Sequence, residues 1–496
     1  MSLVQGKLPL KLKLIQGFGA VAFGVKDIGF QFFLLFFYSQ VLGMDAGLVS
    51  LALLVALLID AVIDPIIGNL TDRTYTRWGR RLPWLYIAPI PLAFAWVILW
   101  TATSSGVPTF WDLLWVAVVV RILLSACEVP SVSLIPEITN DYDERTTLFR
   151  FRYMSGWLGG ILMLTLAYTV FLPGENGLLN RDGYLAYGIC GAVLMAISVM
   201  GSAWGQHKLV AHLPATKPPP FTIKSCFAEI FEAFREKAFL IFAAGGLAAY
   251  INQGLTFSLT NYVTTYVWRL DAVTFPGLPD SVNALSLYPI ALVLSVVLMF
   301  FVVGPMHARF GKPKSAALSA IGSGILTVAP YLALYLGFWP PLESVASAAI
   351  LLGLLVLGNT LSIVVLISAS SMIAEIVEAY QERTGLRAEG AFYSGNWLVQ
   401  KCATGLGIFF TGQLLSAINF STDAVPGEVP EAVISDLVLF CALATGILMA
   451  IAAFWLARFP ITRADHEARV AKAQENSIRP AATASGAKEG VKSNSD

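Results

Sequence analysis

The stretch GNLTDRTYTRWGRR, Gly68–Arg81, ends a long apolar run with one acid, four arginines and two glycines. It returns in shortened form as GPMHARFGK, Gly304–Lys312, with Ala308 in the place of Asp72. A second segment behaves the same way: ERTTL at Glu144–Leu148 recurs as ERTGL at Glu382–Leu386. The two offsets, 236 and 238 residues, agree on one period, so the chain reads as a duplicated unit.

The surroundings of these segments say what the unit is. The chain has 496 residues and a mean hydropathy of +0.70, and it is 56% hydrophobic with only 13% charged residues. Soluble domains carry about 25% charged residues, so this chain reads as an integral membrane protein. A formal net charge of zero argues against nucleic acid as a partner. The five cysteines form no CxxC pair and suggest neither a disulfide framework nor a metal cluster.

About twelve runs reach the roughly 20 apolar residues needed to span a bilayer. They centre near residues 28, 58, 93, 123, 163, 195, 250, 296, 325, 359, 402 and 445. The first follows Lys7, Lys11 and Lys13 but is too long for a cleaved signal, so it reads as a retained helix. With the N-terminus cytoplasmic, Arg181 and Arg269 are the basic loop residues left on the outer side. Arg73, Arg77, Arg80, Arg81, Arg309, Lys312, Lys314 and the C-terminal set fall inside, which fixes the expected orientation with both termini cytoplasmic. The expected fold is an all-α membrane protein of 12 transmembrane helices in two six-helix bundles, at 1–205 and 238–458. A connector at 206–237 holds an amphipathic stretch, IKSCFAEIFEAF, expected on the membrane surface. The tail, 459–496, is expected to be solvated and disordered. Duplicated units facing the same way are the design of many secondary transporters, with substrate held between the halves near the midplane.

Within LLIDAVIDPIIGN, Leu57–Asn69, two aspartates stand four apart and so share one helix face. Each ionised acid at mid-membrane costs about 3 kcal/mol, and at roughly 6 Å their repulsion adds about 3 kcal/mol more for an effective dielectric near 20. A bound monovalent metal ion or a proton would relieve Asp60 and Asp64. A purely structural pair would instead need two basic partners on neighbouring helices. Asp27 lies mid-span beside Lys26, one turn from Gln31. An internal Lys26–Asp27 pair is disfavoured because adjacent helix positions point about 100° apart. Arg121, Ser125 and Glu128 share a face in the fourth run, with Arg121 expected to balance charge. In the eleventh run Tyr393, Trp397 and Lys401 form one stripe, aromatics able to stack on a sugar ring and a lysine that needs acidic partners. Asp27, Asp60, Asp64 and Glu128 balance Lys26, Arg121, Arg152 and Lys401 in formal charge.

The loop pattern G-x-x-x-D-R-x-G-R and its repeat resemble the major facilitator superfamily. Within it, GFGAVAFGVKD (Gly17–Asp27), DAVIDPIIG (Asp60–Gly68), DRTYTRWGRRLPW (Asp72–Trp84), EVPSVSLIPEIT (Glu128–Thr139), ERTTLFRFR (Glu144–Arg152) and FYSGNWLVQKCATGLG (Phe392–Gly407) resemble the glycoside-pentoside-hexuronide:cation symporters, the melibiose permease-like family. The likeness runs along about residues 10–457. It implies a cation site at Asp60 and Asp64, monovalent-metal ligands if the ion is sodium, with a hydroxyl from Ser125. It implies sugar contacts from Asp27, Glu128 and an arginine best matched by Arg152, with Arg150 close enough to leave the register open, and a functional lysine at Lys401, which with the stripe's aromatics is expected to hold the sugar's hydroxyls. Lys26, Tyr393 and Trp397 complete the expected substrate set. Asp72, Arg73, Arg80 and Arg81 are expected to latch the inner gate.

Two positions depart from the family: Glu128 stands where its well-known sugar-binding member has Asp, and Ile63 stands where the sodium-using member has Asn. Loss of a neutral oxygen between the acids favours a proton over sodium as coupling ion. No cofactor beyond H+ or Na+ is implied. HExxH, GxSxG and Walker A motifs are absent, and His207, His212, His307 and His466 lack ligand spacing, so an enzyme is not expected. The expected function is cation:sugar symport by a monomer in the plasma (inner) membrane, carrying a glycoside, pentoside or hexuronide. The alternatives are symport of a lysolipid and a non-transporting receptor or scaffold.

Overall fold

The computed structural model describes residues 7–101, 106–139, 141–211, 231–277, 279, 282–385 and 388–461. Each of the twelve apolar runs lies in a helical segment. These are α1 (Leu10–Val41), α2 (Ala46–Asp72), α3 (Leu82–Ile87 continued by Pro89–Thr101), α4 (Phe110–Ile138), α5 (Glu144–Phe171), α6 (Arg181–Val210), α7 (Lys237–Val267), α8 (Leu285–Phe310), α9 (Lys312–Tyr335), α10 (Val345–Thr384), α11 (Glu389–Ala417) and α12 (Glu431–Ala457). Ten are long and apolar enough to cross a membrane by length and composition alone. The other two are α3, interrupted at Ala88, and α11, whose middle carries Gln400, Lys401 and Thr404.

The first half, α1–α6, and the second, α7–α12, meet mainly where α2 packs on α11 and α1 on α7. Tight contact depends on glycine. A Cβ at Gly24 of α1 would run into the backbone of Gly156 on α5, and one at Gly412 of α11 would strike Ser50 and the Ala46 carbonyl on α2. α6 persists to Val210, past the expected boundary at 205. The amphipathic stretch 223–234, except its last four residues, and the tail beyond 461 lie outside the described residues.

One end of the bundle carries the basic loop 73–81 and its repeat at 311; the other is sealed between the halves. At the sealed end Tyr168 Oη donates to Asn261 Oδ1 (2.7 Å), Asn261 Nδ2 to the Phe32 carbonyl (2.8 Å) and Tyr266 Oη to Gln40 Oε1 (2.9 Å). Ser39 and Tyr262 share a hydrogen bond, and Gln413 Nε2 reaches the Gly47 carbonyl (3.1 Å). Arg269 pairs with Glu175 at 3.4 Å, and Asp271 accepts from the Asn176 backbone at 3.1 Å. π-helical turns at Gly29–Phe33, Phe37–Val41, Ala167–Phe171 and Val263–Val267 occur in three of the helices that build this seal. Such turns widen a helix locally and often mark functional sites. At the basic end, Arg80–Glu137, Arg81–Asp72, Lys13–Glu144, Lys312–Glu375 and Arg383–Glu236 each join residues of one half.

Candidate functional site

Asp45 caps α2 by accepting from the Leu48 N–H, and the helix then runs through apolar residues to Asp60 and Asp64. Pro65 follows directly, and a proline has no N–H to give the carbonyl four residues back, here Ala61. In α4, Pro130 does the same to the Ala126 carbonyl, beside Ser125. Both prolines therefore loosen the helix at the polar cluster.

The aspartates are already partnered. Lys401 Nζ, from α11, lies 2.8 Å from Asp60 Oδ2 and 2.5 Å from Asp64 Oδ2. Arg121 Nη1 reaches Asp60 Oδ2 at 3.4 Å while its guanidinium lies 4.0 Å from the Phe30 ring centroid. Ser125 Oγ is 2.8 Å from Asp60 Oδ1 and 2.6 Å from Asp64 Oδ1. The sequence left open whether two basic partners existed; the fold supplies both, one from each half.

A second cluster forms on α1 and α4. Lys26 Nζ sits 3.1 Å from Glu128 Oε2 and 3.3 Å from Asp27 Oδ1. The expectation that Lys26 and Asp27 pair poorly is thus corrected. Backbone direction separates them by about 100°, but four methylenes let the ammonium bend back to its neighbour's carboxylate. The Asp27 side chain keeps 55% of its surface open, whereas Lys26 is buried. Gln31 Oε1 is buried without a partner.

On α5, Arg152 is buried and donates to Ser131 Oγ at 2.7 Å, while Arg150 is exposed, so it is Arg152 that faces inward. Tyr393 and Trp397 continue the Lys401 face of α11 and are 37% and 38% exposed. Asp72, Arg80 and Arg81 stay at the end of α2: Arg81 pairs with Asp72 and lies 3.5 Å from Glu137, which Arg80 also reaches at 3.0 Å. Arg73 Nε bonds Asn69 Oδ1.

Glu137 was not singled out by the sequence reading, nor was its counterpart Glu375, which holds Lys312 at 2.8 Å. The signal was present: LIPEIT at Leu134–Thr139 and MIAEIV at Met372–Val377 stand at the same 238-residue offset as the ERTTL pair. The neutral residues of the seal, Gln40, Tyr168, Asn261 and Tyr266, carried no comparable sequence signal.

Among the described residues no group of three or more His, Cys, Asp or Glu side chains is arranged to hold a metal ion. The family model described as MFS/sugar transport protein matches residues 15–463. The chain belongs to that family. A symporter of Synechocystis sp., itself uncharacterized, is 27% identical to this MFS protein over 94% of this chain and 96% of its own length. The isoprimeverose transporter of Lactiplantibacillus pentosus is 26% identical, over 78% and 75% respectively. Among solved structures, a D-xylose-proton symporter shares the fold with a TM-score of 0.62 at 13% identity, over 91% of this chain and 98% of that one. This MFS protein is a multi-pass membrane transporter and not an enzyme.

Proposed function

We propose that this transporter moves a glycoside and a cation together by alternating access, and that the cation is a proton. The relatives named symporter and isoprimeverose transporter support the class. The observation that carries the coupling is Lys401, an ammonium of the second half lying between two carboxylates of the first. It acts as an internal stand-in for the transported cation. When a cation takes its place at Asp60 and Asp64, the ion pair between the halves is released and they can move apart.

A proton is favoured over sodium because Ile63 offers no oxygen to a metal ion's shell, whereas a proton needs only one carboxylate.

Sugar binding falls to Asp27 and Glu128, whose carboxylates accept from hydroxyls, with Lys26 holding both in place. Arg152, Lys401 and the aromatic pair Tyr393 and Trp397 are assigned to the same substrate. Arg80 and Arg81 reach Glu137 and so tie the α2–α3 loop to α4, with Asp72 held by Arg81 and Arg73 by Asn69, so that the basic end of the first half moves as one body. With that end in the cytoplasm, as the arginine distribution implies, both termini are cytoplasmic and the state seen is closed outside. The plasma (inner) membrane and a monomeric unit complete the reading. Counterflow tests it: proteoliposomes preloaded with a glycoside should exchange it for labelled external glycoside, and a protein that never exchanges any glycoside would overturn the assignment.

A further inference from the structure

Arg121 reaches into the aspartate pair from α4, one turn before Ser125. It is 5% exposed and places Nη1 3.4 Å from Asp60 Oδ2, the oxygen that Lys401 Nζ also holds at 2.8 Å. The Ser125 hydroxyl lies 2.8 Å from the other oxygen, Oδ1. Asp60 therefore has a first-half partner on each oxygen before Lys401 is counted. Asp64 does not: its Oδ1 meets the Ser125 hydroxyl at 2.6 Å, and its Oδ2 is held by Lys401.

Packing keeps Arg121 where it is. Its guanidinium lies 4.0 Å from the Phe30 ring centroid, an attractive cation–π arrangement. Phe30 is itself buried and packs on Trp96 with 6.0 Å between ring centroids. Arg121 Nε is buried with no acceptor, so this part of the guanidinium has given up water without a hydrogen bond in return. An arginine cannot be deprotonated in a protein, so its charge at Asp60 is permanent. Lys401 differs, because it belongs to α11 of the second half and leaves when the halves separate. Two acids less one fixed arginine leave one negative charge, matched by Lys401 in the state seen and by one cation once Lys401 withdraws. A proton matches it on a single Asp64 oxygen. A sodium ion wants several oxygens, and with Asp60 turned to Arg121 the side chains left to it are Asp64 and Ser125.

We propose that Arg121 sets the coupling ion: by holding Asp60 as its own permanent counter-ion, it closes the aspartate pair to sodium and leaves a site for one proton. The proposal rests on the proton reading above and names the residue responsible for it. Arg121 acts through Asp60 and is a positioning residue. Removing its charge frees a second carboxylate for an incoming metal ion, and a glutamine in its place adds a neutral oxygen of the kind that Ile63 does not supply.

The test compares the unaltered protein with Arg121→Gln and Arg121→Lys. The melting temperature of the purified full chain, without sugar, is measured in sodium chloride and in choline chloride at equal concentration and pH, so that a bound sodium ion shows as a sodium-specific rise. A general loss of stability moves both values together and leaves their difference alone. The unaltered protein and Arg121→Lys show no difference, whereas sodium raises the melting temperature of Arg121→Gln by at least about 2 °C. An Arg121→Gln protein as indifferent to sodium as the unaltered one overturns this proposal alone, as does an Arg121→Lys protein that responds as strongly as Arg121→Gln. A sodium-specific rise in the unaltered protein overturns it together with the proton reading. Should Arg121→Gln fail to purify, Arg121→Met, which also removes the charge, takes its place: a sodium-specific rise upholds the proposal and none overturns it.

Discussion

Lys401 Nζ lies 2.5 Å from Asp64 Oδ2, across the boundary between the two halves of the transporter. Removing the ammonium leaves Asp60 with Arg121 and leaves Asp64 with only the Ser125 hydroxyl. Breaking a buried pair in this way costs on the order of 3–5 kcal/mol. Lys401→Ala should therefore insert and purify but transport more than about a hundredfold slower. Combining it with Asp64→Asn, which removes the stranded charge, should restore thermal stability without restoring transport. A Lys401→Ala protein that transports at the parent rate would remove the lysine from the mechanism.

Asp27→Asn keeps the side-chain shape but not the ionised acceptor. Glycoside affinity should drop by at least about tenfold, the value of one charge-assisted hydrogen bond pair. Cation binding at Asp60 and Asp64 should change little, because Asp27 touches neither; its contact is Lys26. Calorimetric titration with each ligand separately checks both halves of the statement.

Glu137 and Glu375 occupy equivalent places in the two repeats and hold Arg80 and Lys312 at 3.0 and 2.8 Å. Glu137→Gln and Glu375→Gln should each slow transport by roughly tenfold, since each weakens one partly buried ion pair. Glycoside affinity should stay near the parent value, because neither residue faces the cavity cluster. Loss of affinity instead of rate would show that these acids act on the binding site.

Asp271 sits buried in the seal, with Asn176, Arg269 and Glu175 around it and its Oδ1 unpartnered. Burial pushes its carboxyl above the usual range, against the smaller opposing pull of the Asn176 N–H and Arg269, while Glu175 adds to the rise. A carboxyl raised in the sealed state holds its proton more tightly there than when hydrated. The seal thus gains stability that is fully present below the hydrated value of about 3.9 and fades as pH rises through the raised one. Acidification of the outer face should shift the population toward the sealed form. Asp271→Asn keeps an acceptor for Asn176 and should flatten that response. Distances between spin labels on the outer ends of the two halves report it; an unchanged pH response in the variant would assign the effect elsewhere.

The twelve spans were legible because bilayer burial imposes long apolar runs that need no knowledge of partners. The duplication was legible because charged loop segments stand out against such runs, as Gly68–Arg81 and Gly304–Lys312 do. Asp27, Asp60, Asp64 and Lys401 could be picked out one by one as costly charges. That Lys401 answers acids was expected of a lysine at mid-membrane; its distances to Asp60 and Asp64, and its meeting Asp64 across more than three hundred residues of chain, are facts of tertiary packing. Lys26 defeated a rule about helix faces because a long, flexible side chain is not bound by the direction of its Cβ. The seal was hidden for a different reason. Tyr168, Asn261 and Tyr266 are neutral, and a neutral polar residue in an apolar helix looks the same whether it packs inertly or joins two domains.

On the proposed reading, downhill flow of a proton through the Asp60–Asp64–Lys401 cluster drives glycoside uphill. Uptake of labelled glycoside into proteoliposomes under an imposed inward proton gradient, with and without sodium, tests it most directly. Glycoside should accumulate above the external concentration in sodium-free buffer, and a protonophore should abolish that accumulation. Accumulation that requires sodium and ignores the proton gradient would contradict it.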